Sequence, residues 1–207
     1  IPITLTDNEE YSVRVKVDPL NSKNFNIVAA RIIIVQTDAT AIVDSQTQIE
    51  IGNNETSTQT SYTQLTDKKI YNYDSSKWTP VPTVYFEATI ANASTDTTSV
   101  SLYTDSSSCT SAVSGSEVTV ASTTWTRVRS AAVSLSNGTD YMVCMKTSNG
   151  SNAAKIANAK IILDQSDAGG ITALETMQEY VNTSLSSSSS TYESQNYYNL
   201  FDPSSFS

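Results

Sequence analysis

Histidine is absent from the 207 residues, and only six glycines occur. Without histidine the chain cannot form a Ser-His-Asp or Cys-His nucleophile, and it lacks the commonest zinc ligand. No P-loop, Gly-rich dinucleotide motif or G-x-S-x-G elbow is present. Paired carboxylates remain, with Glu50, Glu87 and Glu117 as candidates, but each is more simply an outward-facing polar position on a strand. The sequence therefore predicts a protein without catalytic activity.

Basic residues are also scarce, with 12 Lys and Arg against 21 Asp and Glu and a net charge of −9. This balance disfavours nucleic acid as a partner. No apolar run reaches the roughly 20 residues that a membrane helix needs, so membrane insertion is not expected. Carboxylates can recruit Ca²⁺, and Asp38 and Asp167-Ala168-Gly169-Gly170 occupy repeated positions beside strand ends. No EF-hand or nonapeptide calcium pattern occurs, so solubility is the simpler reason for the acidity.

Only two cysteines are present, Cys109 and Cys144. They allow one disulfide in an oxidising compartment, and two free buried thiols are the alternative. Five Asn-x-Ser/Thr sequons are candidate glycosylation sites of a secreted protein: Asn54, Asn92, Asn137, Asn149 and Asn182. Together these features predict an extracellular or cell-surface location.

An internal repeat is the strongest signal in the sequence. Residues 3–17 (ITLTDNEEYSVRVKV) resemble residues 133–147 (VSLSNGTDYMVCMKT), with an offset of 141 − 11 = 130. Residues 27–39 resemble residues 156–168, with an offset of 156 − 27 = 129. Segment 79–132 occurs once. A unit of this length fits a tandem domain better than a short solenoid repeat.

The repeat predicts about one and a half copies of a ~130-residue unit. Residues 1–26 supply the end of one unit, residues 27–166 form a complete sandwich, and residues 167–207 begin a second, incomplete unit. A half sandwich exposes unpaired strand edges, which something must cover. It can fold back on the complete unit, belong to a longer array, or receive strands from neighbouring subunits.

Short alternating strands indicate an all-β chain, an antiparallel β-sandwich or jelly roll. Val84 to Ile90 is a strong strand, and Arg31 to Val35 is a continuous β-branched run. Asn137-Gly138 predicts a hairpin between Val133–Ser136 and Tyr141–Val143. The segment from Ile171 to Val181 fits a short helix or a strand, and its repeat partner favours the strand.

Aromatic residues near the middle of the chain suggest a possible sugar-binding surface. Trp78, Tyr71 and Tyr73, with Trp125, could stack on sugar rings. Packing in the core is the alternative, and the repeat favours it, because Tyr73 corresponds to Phe201 and so keeps an aromatic residue in both units.

Several stretches, ARIIIVQTDA, TQIEIGNNET, VYFEAT, SGSEV and TRVRS, resemble tandem β-sandwich repeats in large surface proteins of environmental prokaryotes. The resemblance covers most of residues 27–166 and implies an extracellular sandwich repeat without a defined activity. The architecture is also similar to prokaryotic filament subunits that polymerise by donor-strand exchange. That likeness rests on the truncated repeat and the composition.

The leading hypothesis is a structural subunit of an extracellular filament or surface layer. Identical subunits would join by β-strand exchange into a homopolymer, with glycans on the outside. The alternative is a carbohydrate-binding or adhesin module of a larger surface protein.

Overall fold

The computed structural model describes residues 10–15, 25–27, 30–35, 42–66, 69–105, 108–171, 175–181, 185–187 and 193–200. These residues contain fifteen strands, one 3-10 turn (Ser75–Lys77) and no α-helix. The strands are β1 (Glu10–Val15), β2 (Phe25–Ile27), β3 (Ala30–Val35), β4 (Ile42–Ser57), β5 (Thr63–Gln64), β6 (Tyr71–Tyr73), β7 (Thr83–Asn92), β8 (Thr98–Thr104), β9 (Val118–Val120), β10 (Thr126–Val133), β11 (Thr139–Thr147), β12 (Ala154–Ile171), β13 (Glu175–Val181), β14 (Leu185–Ser187) and β15 (Glu193–Leu200).

Two large sheets make up the centre of the molecule. One has the order β10-β7-β12-β4-β13-β3, and the other has the order β5-β11-β8-β9, with β6 also paired to β11. The strand pairs are antiparallel except β4 with β13, which run parallel with Gln48 opposite Gln178. From β4 to β12 the chain follows the strand order of a jelly roll, in which β5 and β6 share one strand position. The predicted all-β antiparallel sandwich is confirmed.

The core lies between these sheets because apolar residues alternate along the strands that face each other. Strand β7 contributes Val84, Phe86, Ala88 and Ile90, all buried. The partners on β8, β11 and β12 are equally buried: Val100, Leu102, Val143, Met145, Ile161 and Leu163. Removing this apolar surface from water is the main favourable term for the sandwich.

The predicted hairpin at Asn137-Gly138 is wrong. Strand β10 lies in the six-stranded sheet and β11 in the other, so the connection crosses between sheets. Gly138 has φ 72°, and its N–H donates to the carbonyl of Tyr73 at 2.7 Å. The N–H of Ser136 donates to the hydroxyl of buried Tyr141 at 2.7 Å. A turn-forming dipeptide therefore marks a corner here, because a local turn signal does not say which sheet receives the next strand.

The strand interpretation of the segment from Ile171 to Val181 is confirmed where the structure describes it. Strand β12 extends to Ile171, and Glu175–Val181 forms β13. The helical spacing of Leu174, Met177 and Val181 does not decide the structure, because β13 pairs with β3 on one side and β4 on the other. Tertiary pairing often overrides such local patterns.

Replacing Phe86 by Ala tests the central packing. Its side chain is 0% exposed, so the change leaves a large cavity and should lower the free energy of unfolding by about 3–5 kcal/mol. Val81, which is 63% exposed, provides the matched control: Val81→Ala should change it by less than about 0.5 kcal/mol. Urea denaturation measures both, and equal effects would contradict this core.

Candidate assembly interface

A second set of strand pairs joins the two ends of the chain. Strand β1 pairs with β15, β2 with β14, and β3 with β13, all antiparallel. Strands β1 to β3 are thus paired with strands β13 to β15, although β4 to β12 lie between them in sequence. The β15 strand also packs against β12 and β13, which brings the end-to-end pairs against the large sheet.

The register of β3 with β13 reproduces the register of β12 with β4. In the sandwich, Lys160 lies opposite Glu50 and Leu163 opposite Thr47. Between the chain ends, Arg31 lies opposite Glu179 and Ile34 opposite Thr176. The offset is the same on both strands, 160 − 31 = 129 and 179 − 50 = 129. The pairing of the two ends therefore follows the sequence repeat residue by residue.

The pairs β1 with β15 and β2 with β14 also keep the offset of the sequence repeat. Arg14 lies opposite Ser194, just as Cys144 lies opposite Gln64, with offsets of 144 − 14 = 130 and 194 − 64 = 130. In the third pair, Ile27 lies opposite Leu185. Its counterpart in the sandwich is Ile156 opposite Glu55, with offsets of 156 − 27 = 129 and 185 − 55 = 130.

These registers make β1 the counterpart of β11 and β3 the counterpart of β12. On the partner side, β13 corresponds to β4 and β15 to β5. In the sandwich, β12 also pairs with β7, and β11 also pairs with β8. Among the strands that the structure describes, β3 ends its sheet and β1 has only β15 beside it. Within the described part of the chain, each of these strands therefore has one edge without a partner strand, and the N–H and C=O groups of such an edge can bind another strand.

Polar side chains are buried on the face of the six-stranded sheet that points away from the sandwich core. They include Gln46, Gln48, Glu50 and Lys160. The Lys160 Nζ donates to Gln48 Oε1 at 3.4 Å. Glu50 forms an ion pair with Lys69 and accepts a hydrogen bond from Asn53 at 3.0 Å. This face is covered rather than solvated, and the burial of charge is offset by ion pairing and hydrogen bonds.

The carboxylate of Glu87 is held by two arginines from the neighbouring strand. Its Oε2 accepts from Arg127 Nη1 at 2.6 Å and from Arg129 Nε at 3.0 Å. Arg129 also lies over the Tyr85 ring, 5.5 Å from its centroid. Glu117, another sequence candidate, accepts a hydrogen bond from the Tyr62 hydroxyl through its Oε2. Sequence reasoning identified the carboxylates but missed the cations that hold Glu50 and Glu87.

Among the aromatic candidates for sugar stacking, Tyr71, Tyr73 and Trp78 pack into or against the same core and do not form an open platform. Tyr73 belongs to the buried core and is 3% exposed. Tyr71 and Trp78 are half-buried and pack against that core, with the Tyr71 and Tyr73 rings 6.4 Å apart. Trp125 is also half-buried. Tyr73 therefore offers no ring face to a ligand, which leaves Tyr71 and Trp78 as the accessible pair.

A smaller cluster covers the outer side of the five-stranded sheet. Cys109 and Cys144 are joined by a disulfide, with their Cα atoms 6.0 Å apart. Tyr62 and Tyr103 pack with them, and the Lys146 Nζ lies 4.4 Å from the Tyr62 ring centroid. Burial raises the pKa of Tyr62 far above its usual value, and its hydrogen bond to Glu117 adds to that shift.

The five glycosylation candidates differ in accessibility. Asn54, Asn137 and Asn149 are exposed, whereas Asn182 lies outside the described residues. Asn92 is 0% exposed, and its Nδ2 donates to the hydroxyls of Thr98 and Thr147 at 3.1 and 3.2 Å. Asn92 is thus a poor acceptor in the folded chain, because the nitrogen that would carry the glycan is buried and engaged.

The part of the chain whose side chains are described contains no cluster of three or more His, Cys, Asp or Glu side chains. Of the calcium candidates, Asp38 lies outside the described residues, and Asp167 lies on β12 where only the backbone is described. Calcium binding at these positions stays a prediction.

No protein-family model, curated protein or solved structure matches this chain. Within the residues described, no helix has the length and apolar character needed to cross a membrane. The functional argument therefore depends on the geometry of the strands and of the side chains between them.

Glu87→Gln tests the two-arginine site. The substitution keeps the shape of the side chain but leaves two cations without their carboxylate, so we expect a loss of about 2–3 kcal/mol in the free energy of unfolding. Asp140→Asn, at an exposed hydrogen bond to Asn72, is the control and should cost less than about 1 kcal/mol. Equal losses would show that the Glu87 network contributes no more than a surface contact.

The phenol of Tyr71 should lose its proton at a higher pH than an exposed tyrosine. Burial, followed by the proximity of Tyr73, raises the pKa of the Tyr71 phenol to about 12 from an ordinary value of about 10. Since the folded pKa exceeds the unfolded value, the unfolded chain releases this proton first, and stability should fall as the pH rises from 10 to 12. Absorbance titration at high pH measures this. The Tyr71→Phe chain should lack one phenol titrating near pH 12, and loss of a phenol titrating near pH 10 would contradict the assignment.

Proposed function

We propose that this chain is a structural subunit of an extracellular filament or surface layer, whose copies join by β-strand exchange. The observation that carries the proposal is the shared register of the end-to-end strand pairs and the sandwich pairs. Strands at opposite ends of one chain are complementary as if they belonged to one domain. The same pairs can form between the first strands of one copy and the last strands of the next.

Exchange between copies keeps every backbone hydrogen bond of the closed form. Only the connectivity changes, as in domain swapping, so the difference in free energy between the two forms is small. The contact is heterologous, because the first strands of one copy meet the last strands of another. Such a contact need not close on itself and can continue as a filament.

Two further features fit a surface assembly. The Cys109–Cys144 disulfide suits an oxidising compartment, where such bonds persist. The net charge of −9 makes copies repel one another at low ionic strength, and salt screens that repulsion. Assembly by strand pairing should therefore strengthen as salt is added from low concentration.

A carbohydrate-binding or adhesin module is the second candidate. The half-buried Trp78 and Tyr71 favour it, because an indole and a phenol at the border of the core can stack on one sugar ring. In a glycan array, selective binding that Trp78→Ala abolishes would support this alternative.

A cysteine pair across β1 and β15 tests strand exchange. Ser12 lies opposite Tyr198, and directly paired Cα atoms lie within the range that a disulfide can bridge. Copies carrying Ser12→Cys, mixed with copies carrying Tyr198→Cys, should form a covalent dimer under mild oxidation, and more of it at higher protein concentration. Non-reducing electrophoresis measures the product. Ser12→Cys mixed with Val81→Cys is the control for random collision.

The double variant, Ser12→Cys with Tyr198→Cys, locks each chain to itself when oxidised at low concentration. Electron microscopy should then show no fibres until the lock is reduced, whereas the unsubstituted chain forms them throughout. Fibres from the locked chain, or mixed single variants that stay monomeric at every concentration, would exclude strand exchange through β1 and β15.

A further inference from the structure

We infer that the edge of β3 that no described strand pairs with is an acceptor site for an extended strand with the chemistry of β7, supplied by a separate chain segment. This deepens the proposed function and rests on it, because it names a second strand-pairing site and the strand that fits there. The ligand is a ten-residue segment with alternating apolar residues and a carboxylate at its fifth position, as in Thr83–Asn92.

The site is defined by the neighbours of the counterpart strand. Strand β12 pairs with β4 on one edge and with β7 on the other. Strand β3 pairs with β13, the counterpart of β4, in the matching register. Its other edge ends the sheet among the described strands. The position that β7 occupies beside β12 therefore has an equivalent beside β3.

The register of the ligand follows from the same offset. In the sandwich, Glu87 lies opposite Lys160, Phe86 opposite Ile161, and Val84 opposite Leu163. Subtracting the repeat offset of 129 from the β12 positions gives the equivalent positions on β3. The carboxylate of the ligand then lies opposite Arg31, and its two apolar residues lie opposite Ile32 and Ile34. The positions keep their character, since Arg31 replaces Lys160 and isoleucines replace Ile161 and Leu163.

Charge and side-chain alternation together select this register. A carboxylate opposite a cation is favourable, and a like charge at that position is unfavourable. A slip of one residue would also move every apolar side chain of the ligand to the other face. Exchanging the charges of Arg31 and of the ligand carboxylate therefore tests the register.

The edge of β1 extends the same site. In the sandwich, β8 pairs with β11, the counterpart of β1, and β8 directly follows β7 in sequence. One segment spanning 83–104 could therefore pair with β3 through its first strand and with β1 through its second. Such a segment should bind more tightly than 83–92 alone.

The test uses the full chain and a synthetic peptide, TVYFEATIAN, which carries fluorescein on a polar linker. Fluorescence anisotropy should show saturable binding. A peptide with Glu87→Lys should bind about tenfold more weakly to the unsubstituted chain. The chain with Arg31→Glu should reverse the preference and bind the lysine peptide better than the glutamate peptide. Circular dichroism of each chain checks that the strand content is unchanged.

Reversal by the charge exchange supports the site, since a merely structural role of Arg31 would weaken both peptides equally. Absence of saturation, or an affinity indifferent to the exchange, would overturn it. So would a discrete dimer, joined through two β3 edges, that the peptide does not dissociate. The cysteine test across β1 and β15 is independent: covalent dimers without peptide binding would leave the proposed function standing and remove only the β3 site.

Discussion

Strand register is the constraint on which the rest of this structure depends. Side chains alternate between the two faces of a strand, so a slip of one residue exchanges the buried and the outer set. Strand β12 fixes the register for its sheet because its residues from Ala154 to Asp164 pair with both β4 and β7. Its neighbours place Phe86 and Ile161 in the core and leave Glu87 and Lys160 opposite each other on the other face.

Polar residues occupy central strands of the six-stranded sheet because they lie on the face that points away from the sandwich core. Glu50 and Lys160 lie opposite each other on β4 and β12, and both are buried. At the equivalent register positions of the chain ends, Glu179 lies opposite Arg31. Opposite charges at one position in both strand pairs favour the correct register and penalise displaced ones. Such pairs contribute specificity of pairing more than net stability, since desolvation offsets much of their attraction.

The sequence predicts the strands well and their sheets less well. Alternation in residues 84–90 and the β-branched run at 31–35 correspond to β7 and β3. The corner at Asn137-Gly138 was misread as a hairpin, because the turn chemistry is local and the choice of sheet is not. The carboxylate of Glu87 could be identified from sequence, but Arg127 and Arg129 could not be assigned to it before the register of β7 with β10 was known. The repeat offset alone would have paired Arg31 with Glu179 once Lys160 and Glu50 were paired.

Equivalence of register has a thermodynamic consequence for assembly. Because the proposed exchanged form would contain the same strand pairs as the closed form, the pairing energy would cancel between them, and the effective concentration of the chain's own end would decide which form dominates. Short connections, 36–41 between β3 and β4 and 172–174 between β12 and β13, hold the outer strands to the complete sandwich in both forms. The proposed exchange would therefore have to compete with the chain's own end, and it would prevail only when copies are concentrated or aligned. A β7-type strand bound at the proposed β3 site would add strand pairs to either form, so it would shift this balance only by binding the exchanged form more tightly than the closed form.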